Sequence, residues 1–163
     1  MHELLYAAAP AAVGAWAGAR AWRLRRGRLT PGEPAPGFDL VGTDRRRHRL
    51  ESIEGPVVVL LFMSNRCPGV KAYDARLRRL MARHPGLAVV GINPIDPGLY
   101  PGESLGRMRE ALRDRKLDGL LYLKDADGSV ARAYGAVCTP EVVVLDAERR
   151  IRYRGRIDDS LVE

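Results

Sequence analysis

The sequence predicts an α/β fold, a central mixed β-sheet with helices packed on its faces, and three observations carry that prediction. Pro56 to Met63 is an unbroken apolar, β-branched run of the kind found in a strand covered on both faces. Immediately afterwards, over Pro68 to Arg83, the pattern changes to helical spacing. Val70, Tyr73, Leu77, Leu80 and Met81 fall on one side, and Lys71, Asp74, Arg76, Arg78 and Arg79 mostly elsewhere. The remaining elements continue the alternation of strand and helix, which an open sheet with helical crossovers requires.

Composition narrows the functional classes. A chain of 163 residues is long enough for one domain with a real core and a short appendage. Lys+Arg 27 against Asp+Glu 20 leaves a net charge of +7, but the excess is uneven. It is concentrated between Arg20 and Arg28 and again at Arg45 to Arg47. Aromatic residues make up only 6% and no recognition-helix or aromatic-platform motif is present, so nucleic acid is not an expected partner. Two cysteines do not make a secreted disulfide framework. In a cytoplasmic, reducing setting they read as catalytic or incidental.

Taken in order, residues 1–28 form a separate hydrophobic and basic helix. Residues 4–22 are about long enough to span a bilayer, and Gly14 and Gly18 have the small-xxx-small spacing of packed membrane helices. Alanine richness, Pro10 and Arg20 weaken that pattern, and Met1-His2-Glu3 lacks the positive start of a secretory signal. Three readings stay open. The helix spans the membrane with the arginines holding the domain on the cytoplasmic side, or it lies in the interface with Trp16 and Trp22 at head groups, or it is a soluble extension.

Residues 29–37 read as a proline-rich extended linker and residues 38–163 as the folded domain. Phe38 to Val41 and His48 to Leu50 form an edge hairpin around Gly42-Thr43-Asp44. Leu87 to Ile92 is a second buried strand, and its loop, Asn93 to Pro97, opens on the same sheet edge as the loop after Met63. Asn93 is therefore a candidate to face substrate, although Asn beside proline is also an ordinary turn former. Ser104 starts a helix to about Arg115, Leu120 to Lys124 is a short strand, and Ser129 to Tyr134 a short helix. Glu141 to Leu145 and Ile151 to Arg156 form a hairpin. Asp125 and Asp127 lack the further oxygen ligands of a calcium loop. With no phosphate loop and no Cys/His cluster of zinc spacing, no metal and no cofactor is expected.

The chemistry concentrates at Cys67. It ends the strand-to-helix loop, and Pro68 occupies the first helical position, so the free N–H groups and positive dipole end of the helix face the sulfur. An ordinary thiol has a pKa of about 8.5, and such positions bring it to roughly 3.5 to 7.5. Arg66 and Lys71 add positive charge. A small buried apolar cysteine is the plainer alternative. Loops beyond the carboxyl ends of strands are where α/β folds place their sites, which favours the reactive reading.

Phe62 to Lys71, together with Gly91-Ile92-Asn93, Tyr100-Pro101 and Ala133 to Pro140, resembles the thioredoxin-like, peroxiredoxin-like (AhpC/TSA redoxin) family, and Pro34 to Leu40 matches its usual opening. The resemblance covers about residues 30 to 160. A branch of that family carries Cys-Asn-His-Cys-Pro where this chain has Ser64-Asn65-Arg66-Cys67-Pro68. It implies a thioredoxin-like fold in which Cys67 is the nucleophile and Thr139 and Pro140 face it across a cis peptide bond. Cys138 is then placed near Cys67, as a resolving partner or as a small space-filling residue. Arg66, Ser64 and Asn93 are the remaining candidates for substrate positioning. Val70 stands at the second cysteine of a Cys-x-x-Cys pair, and Leu60 where peroxiredoxins carry proline. The family normally continues past Ser160 into a helix covering the sheet, which is expected to be missing here. The implied activity is thiol–disulfide exchange on protein or low-molecular-weight thiols and disulfides. Peroxide reduction and a redox-inactive binding module are the alternatives.

Overall fold

The structure, a computed structural model, describes residues 29–158. The candidate membrane segment at 4–22, the arginines after it and the chain beyond 158 lie outside the described residues. Among the described residues no helix is long and apolar enough to cross a membrane.

Seven strands form one sheet: β1 (Asp39–Gly42), β2 (Arg47–Arg49), β3 (Val57–Phe62), β4 (Leu87–Asn93), β5 (Leu121–Lys124), β6 (Glu141–Leu145) and β7 (Ile151–Gly155). Their spatial order is β2-β1-β5-β4-β3-β6-β7. The centre is parallel, with β4 paired to both β3 and β5, and the flanking strands are antiparallel. The helices are α1 (Pro68–Lys71), α2 (Asp74–Arg83), α3 (Leu105–Asp114) and α4 (Ser129–Ala133). This is the mixed sheet with flanking helices that the sequence predicts.

The apolar run of β3 explains its central position. Val58, Leu60 and Phe62 pack into one core with Val90, Ile92, Val143, Leu145 and with Val130 and Ala131 of α4. Leu61 and Met63 point into the other, with Val70, Tyr73, Leu77, Met108 and Leu112 from α1 to α3. Both faces are thus filled by alternate residues of a single strand, and each fully buried side chain of this size contributes roughly 1.5–3 kcal/mol.

Two local differences from the sequence reading have physical causes. The helix expected over Pro68 to Arg83 is broken at Ala72 and Tyr73, where the Tyr73 N–H donates to the Val70 carbonyl at 3.1 Å, one residue short of the α-helical partner. The Tyr73 side chain is buried and its hydroxyl donates to Asp158 at 2.8 Å, which anchors the break. The stretch expected as a linker is extended but bound. Gly32 N–H donates to Ile151 O, Ala35 N–H to Arg149 O, and the Tyr134 hydroxyl to Pro36 O.

Gly91 lies in the middle of β4, where a Cβ would sit 2.8 Å from both Met63 Sδ and Tyr122 Cδ2. The Gly91→Ala variant is therefore expected to lose about 1–3 kcal/mol by overpacking, measured by urea unfolding, and an unchanged midpoint would contradict this packing.

Candidate active site

The register of the sheet assembles the site. Phe62 at the end of β3 lies opposite Ile92 of parallel β4 and opposite Glu141 of antiparallel β6. The loop leaving β3, the loop leaving β4 and the segment entering β6 consequently share one sheet edge. Cys67 stands at the end of the first, in extended conformation just before α1, and is half-buried. Its Sγ lies 3.3 Å from the carbonyl oxygen of Thr139 and donates to it. The Thr139–Pro140 bond is cis. A Cβ placed on Gly69 would lie 3.3 Å from Pro140 Cδ and 3.6 Å from Cys67 Sγ, so the first turn of α1 packs directly on that proline.

Beneath the Cys67 loop lies a buried polar network that the sequence reading did not foresee. The Glu103 carboxylate, 0% exposed, accepts the backbone N–H of Asn65 at 2.9 Å and that of Arg66 at 3.2 Å. It also accepts Asn93 Nδ2 at 2.8 Å. Asn65 Nδ2 donates to Gly102 O, and the Tyr122 hydroxyl donates to Asn65 Oδ1 while accepting from Asn93. Lys124 Nζ completes the set by donating to Asn93 Oδ1 and Ile95 O. Burial pushes the Lys124 ammonium down to about 8 against the opposing pull of Glu103, Asp125 and Asp96. Burial, reinforced by the Glu103 charge, pushes the Tyr122 phenol well above its ordinary value, so it stays a donor.

A second buried carboxylate holds the facing loop. Glu141, 1% exposed, accepts the Val137 N–H at 3.0 Å and pairs with Arg154 Nε at 2.9 Å. Arg154 also reaches the Gly135 carbonyl. The loop so held carries Cys138, an exposed residue with a free thiol. Its thiol is nonetheless partly desolvated. That desolvation, with Glu141 and Cys67 adding, pushes the thiol up to about 11, against Arg156 and Arg154.

The sequence-predicted residues therefore separate into groups. Cys67, Thr139 and Pro140 meet, and Arg66 is exposed beside them with its side chain passing over Gly102. Ser64 is buried at the end of the strand. Asn93, a candidate to face substrate, is instead 0% exposed and directed into the Glu103 network. Among the described residues no cluster of His, Cys, Asp and Glu has the arrangement of a metal site, and Asp125 turns inward to accept the N–H groups of Val130 and Ala131 at the start of α4. Glu103, Tyr122, Lys124 and Glu141 escaped the sequence reading. The available signal was weak: Lys124 closes an apolar strand, and charges at strand ends usually face water.

The model of the AhpC/TSA family matches residues 31–154, so the chain belongs to that family. Among solved structures it is similar to an uncharacterized conserved protein from Geobacillus kaustophilus, 34% identical with a TM-score of 0.76, over 81% of this chain and 71% of that one. A hypothetical protein from Sinorhizobium meliloti 1021 is 37% identical with a TM-score of 0.76, over 82% and 74%. A secreted Mycobacterium tuberculosis disulfide oxidoreductase homologous to E. coli DsbE shares the fold, at 24% identity and a TM-score of 0.59, over 70% and 79%. No curated protein matches. The fold is the thioredoxin-like one.

With its thiol near 11, Cys138 is about one part in ten thousand thiolate at pH 7. Its alkylation by iodoacetamide, followed by mass mapping, is expected to rise about tenfold per pH unit from pH 7 to 10. A plateau below pH 9 would refute the assignment.

Proposed function

We propose that this AhpC/TSA-family chain is a thiol–disulfide oxidoreductase with Cys67 as its nucleophile, in the branch whose active site carries a Cys-Pro pair. The observation that carries the reading is the apposition of Cys67 Sγ to the Thr139 carbonyl beside cis-Pro140 at the mouth of α1. The Thr139–Pro140 segment, which precedes β6 and lies outside the sheet ladder, offers backbone groups next to the thiol that orient a peptide disulfide for in-line attack. The disulfide oxidoreductase fold shared with the Mycobacterium tuberculosis structure supports the same reading.

In the first step the Cys67 thiolate attacks one sulfur of a protein or low-molecular-weight disulfide. A Cys67–substrate disulfide forms, the substrate S–S bond breaks, and the other half leaves as a thiolate that takes a proton from water. Attack of a second thiolate on the Cys67 sulfur then releases the substrate thiol and leaves Cys67 in a disulfide with the attacking thiol, from which a further thiol, or the second sulfur of a dithiol, displaces the Cys67 thiolate. Cys138 is poorly suited to that second step at neutral pH, because the partly desolvated thiol, which feels the negative charge of Glu141, stays protonated. An external thiol therefore resolves the intermediate.

Retention of Ser64-x-x-Cys67 favours peroxide reduction as the second reading. There the thiolate attacks a peroxide oxygen, giving a Cys67 sulfenic acid and releasing the alcohol or water.

Turnover of hydroxyethyl disulfide and of insulin with dithiothreitol as reductant is expected to vanish in Cys67→Ala and to persist within about threefold in Cys138→Ser at pH 7. Activity that survives Cys67→Ala would refute the proposal. Consumption of hydrogen peroxide that outpaces disulfide turnover would replace it with the second reading.

A further inference from the structure

Three N–H donors converge on Glu103, and their origins are unequal in importance. Two are consecutive backbone groups, Asn65 and Arg66, immediately before Cys67; the third belongs to Asn93 at the end of the neighbouring strand. A carboxylate buried to 0% exposure persists only when its oxygens are fully bonded, and here both are used on the peptide units that lead into the nucleophile. Each other group in the network has one consistent role. Asn93 Oδ1 faces the Lys124 ammonium and the Ile95 N–H, so its Nδ2 must face Glu103 and Tyr122. The Tyr122 hydroxyl spends its proton on Asn65 Oδ1, and Asn65 Nδ2 spends one of its own on the Gly102 carbonyl. Turning Asn93 round would set its NH₂ against the Lys124 ammonium and the Ile95 N–H, and turning Asn65 round would set its Oδ1 against the Gly102 carbonyl.

We propose that Glu103 is a positioning residue for the reaction of Cys67. Its carboxylate sets the Asn65–Arg66 backbone so that Cys67 enters α1 with its sulfur at the Thr139 carbonyl. Lys124, through Asn93, supplies the balancing charge. The inference rests on the reading of Cys67 as nucleophile, and it goes beyond that reading by placing control of the thiol in a residue 36 positions later in the chain that touches no substrate.

The chemistry of Glu103→Gln makes the inference testable. Glutamine keeps the shape, but all three neighbours are donors, so its NH₂ group opposes at least one N–H in either orientation. The measurements are the pH profile of Cys67 alkylation by iodoacetamide and the second-order rate constant for reaction of the reduced protein with hydroxyethyl disulfide, both well below the unfolding midpoint. In Glu103→Gln the exchange rate constant is expected to fall about tenfold or more and the alkylation profile to be displaced from that of the wild type. A merely structural role would lower thermal stability and leave the profile of the folded protein where it was. That result, with an unchanged rate constant, overturns the proposal.

Should Glu103→Gln fail to fold, Tyr122→Phe decides the matter, because it removes only the hydroxyl that links Asn65 to Asn93. A loss of about fivefold with a displaced profile supports the proposal, and an unchanged profile overturns it. A wild-type protein that alkylates but does not exchange disulfides would sink the functional reading alone, since the alkylation profile still reports whether Glu103 governs Cys67.

Discussion

The register of β3 between β4 and β6 is the constraint on which the rest of the molecule depends. Phe62 must lie opposite both Ile92 and Glu141 for the loops after β3 and β4 and the segment before β6 to meet at one edge. A slip of one residue would turn Val58, Leu60 and Phe62 out of one core and Leu61 out of the other. With both faces buried, neither core tolerates that exchange. The packing that stabilises the sheet is therefore the same packing that brings Cys67 to Thr139 across 72 positions of chain.

Concentrating three chain segments at one edge creates an electrostatic problem. Asn93, Glu103, Lys124, Asp125 and Glu141 are all buried there. Removing a charge from water costs several kcal/mol unless partners replace the lost hydration. The partners come mostly from the site loops themselves: backbone N–H groups of Asn65 and Arg66 for Glu103, of Val137 for Glu141, and of Val130 and Ala131 for Asp125. Each carboxylate thus holds one backbone segment in place, and the cations Lys124 and Arg154 balance two of them. The two thiols end in contrasting surroundings. Cys67 lies at the start of α1 and donates to the Thr139 carbonyl, whereas Cys138 feels the negative charge of Glu141.

Much of this protein was determined by its sequence alone. The eight apolar residues of Pro56–Met63 mark a strand buried on both sides, because the run is short, rich in β-branched valine and bounded at its start by Gly55-Pro56. Pro68 after Cys67 marks a helix start, since proline lacks the donor that an interior position needs. Those two facts were sufficient to locate Cys67 on a strand-to-helix loop, and the ordered motifs around Thr139 and Pro140 were sufficient to name the family. Tertiary structure alone decided the polar network beneath the loop. Glu103 follows a Tyr-Pro-Gly segment and Lys124 ends a strand, both places where a charged residue ordinarily meets solvent, and Asn93 beside Pro94 reads as a turn former. Their burial follows from which segments the sheet brings together. A local pattern records how one element divides its faces between core and water, but it does not record which distant element will supply the partners for a buried charge.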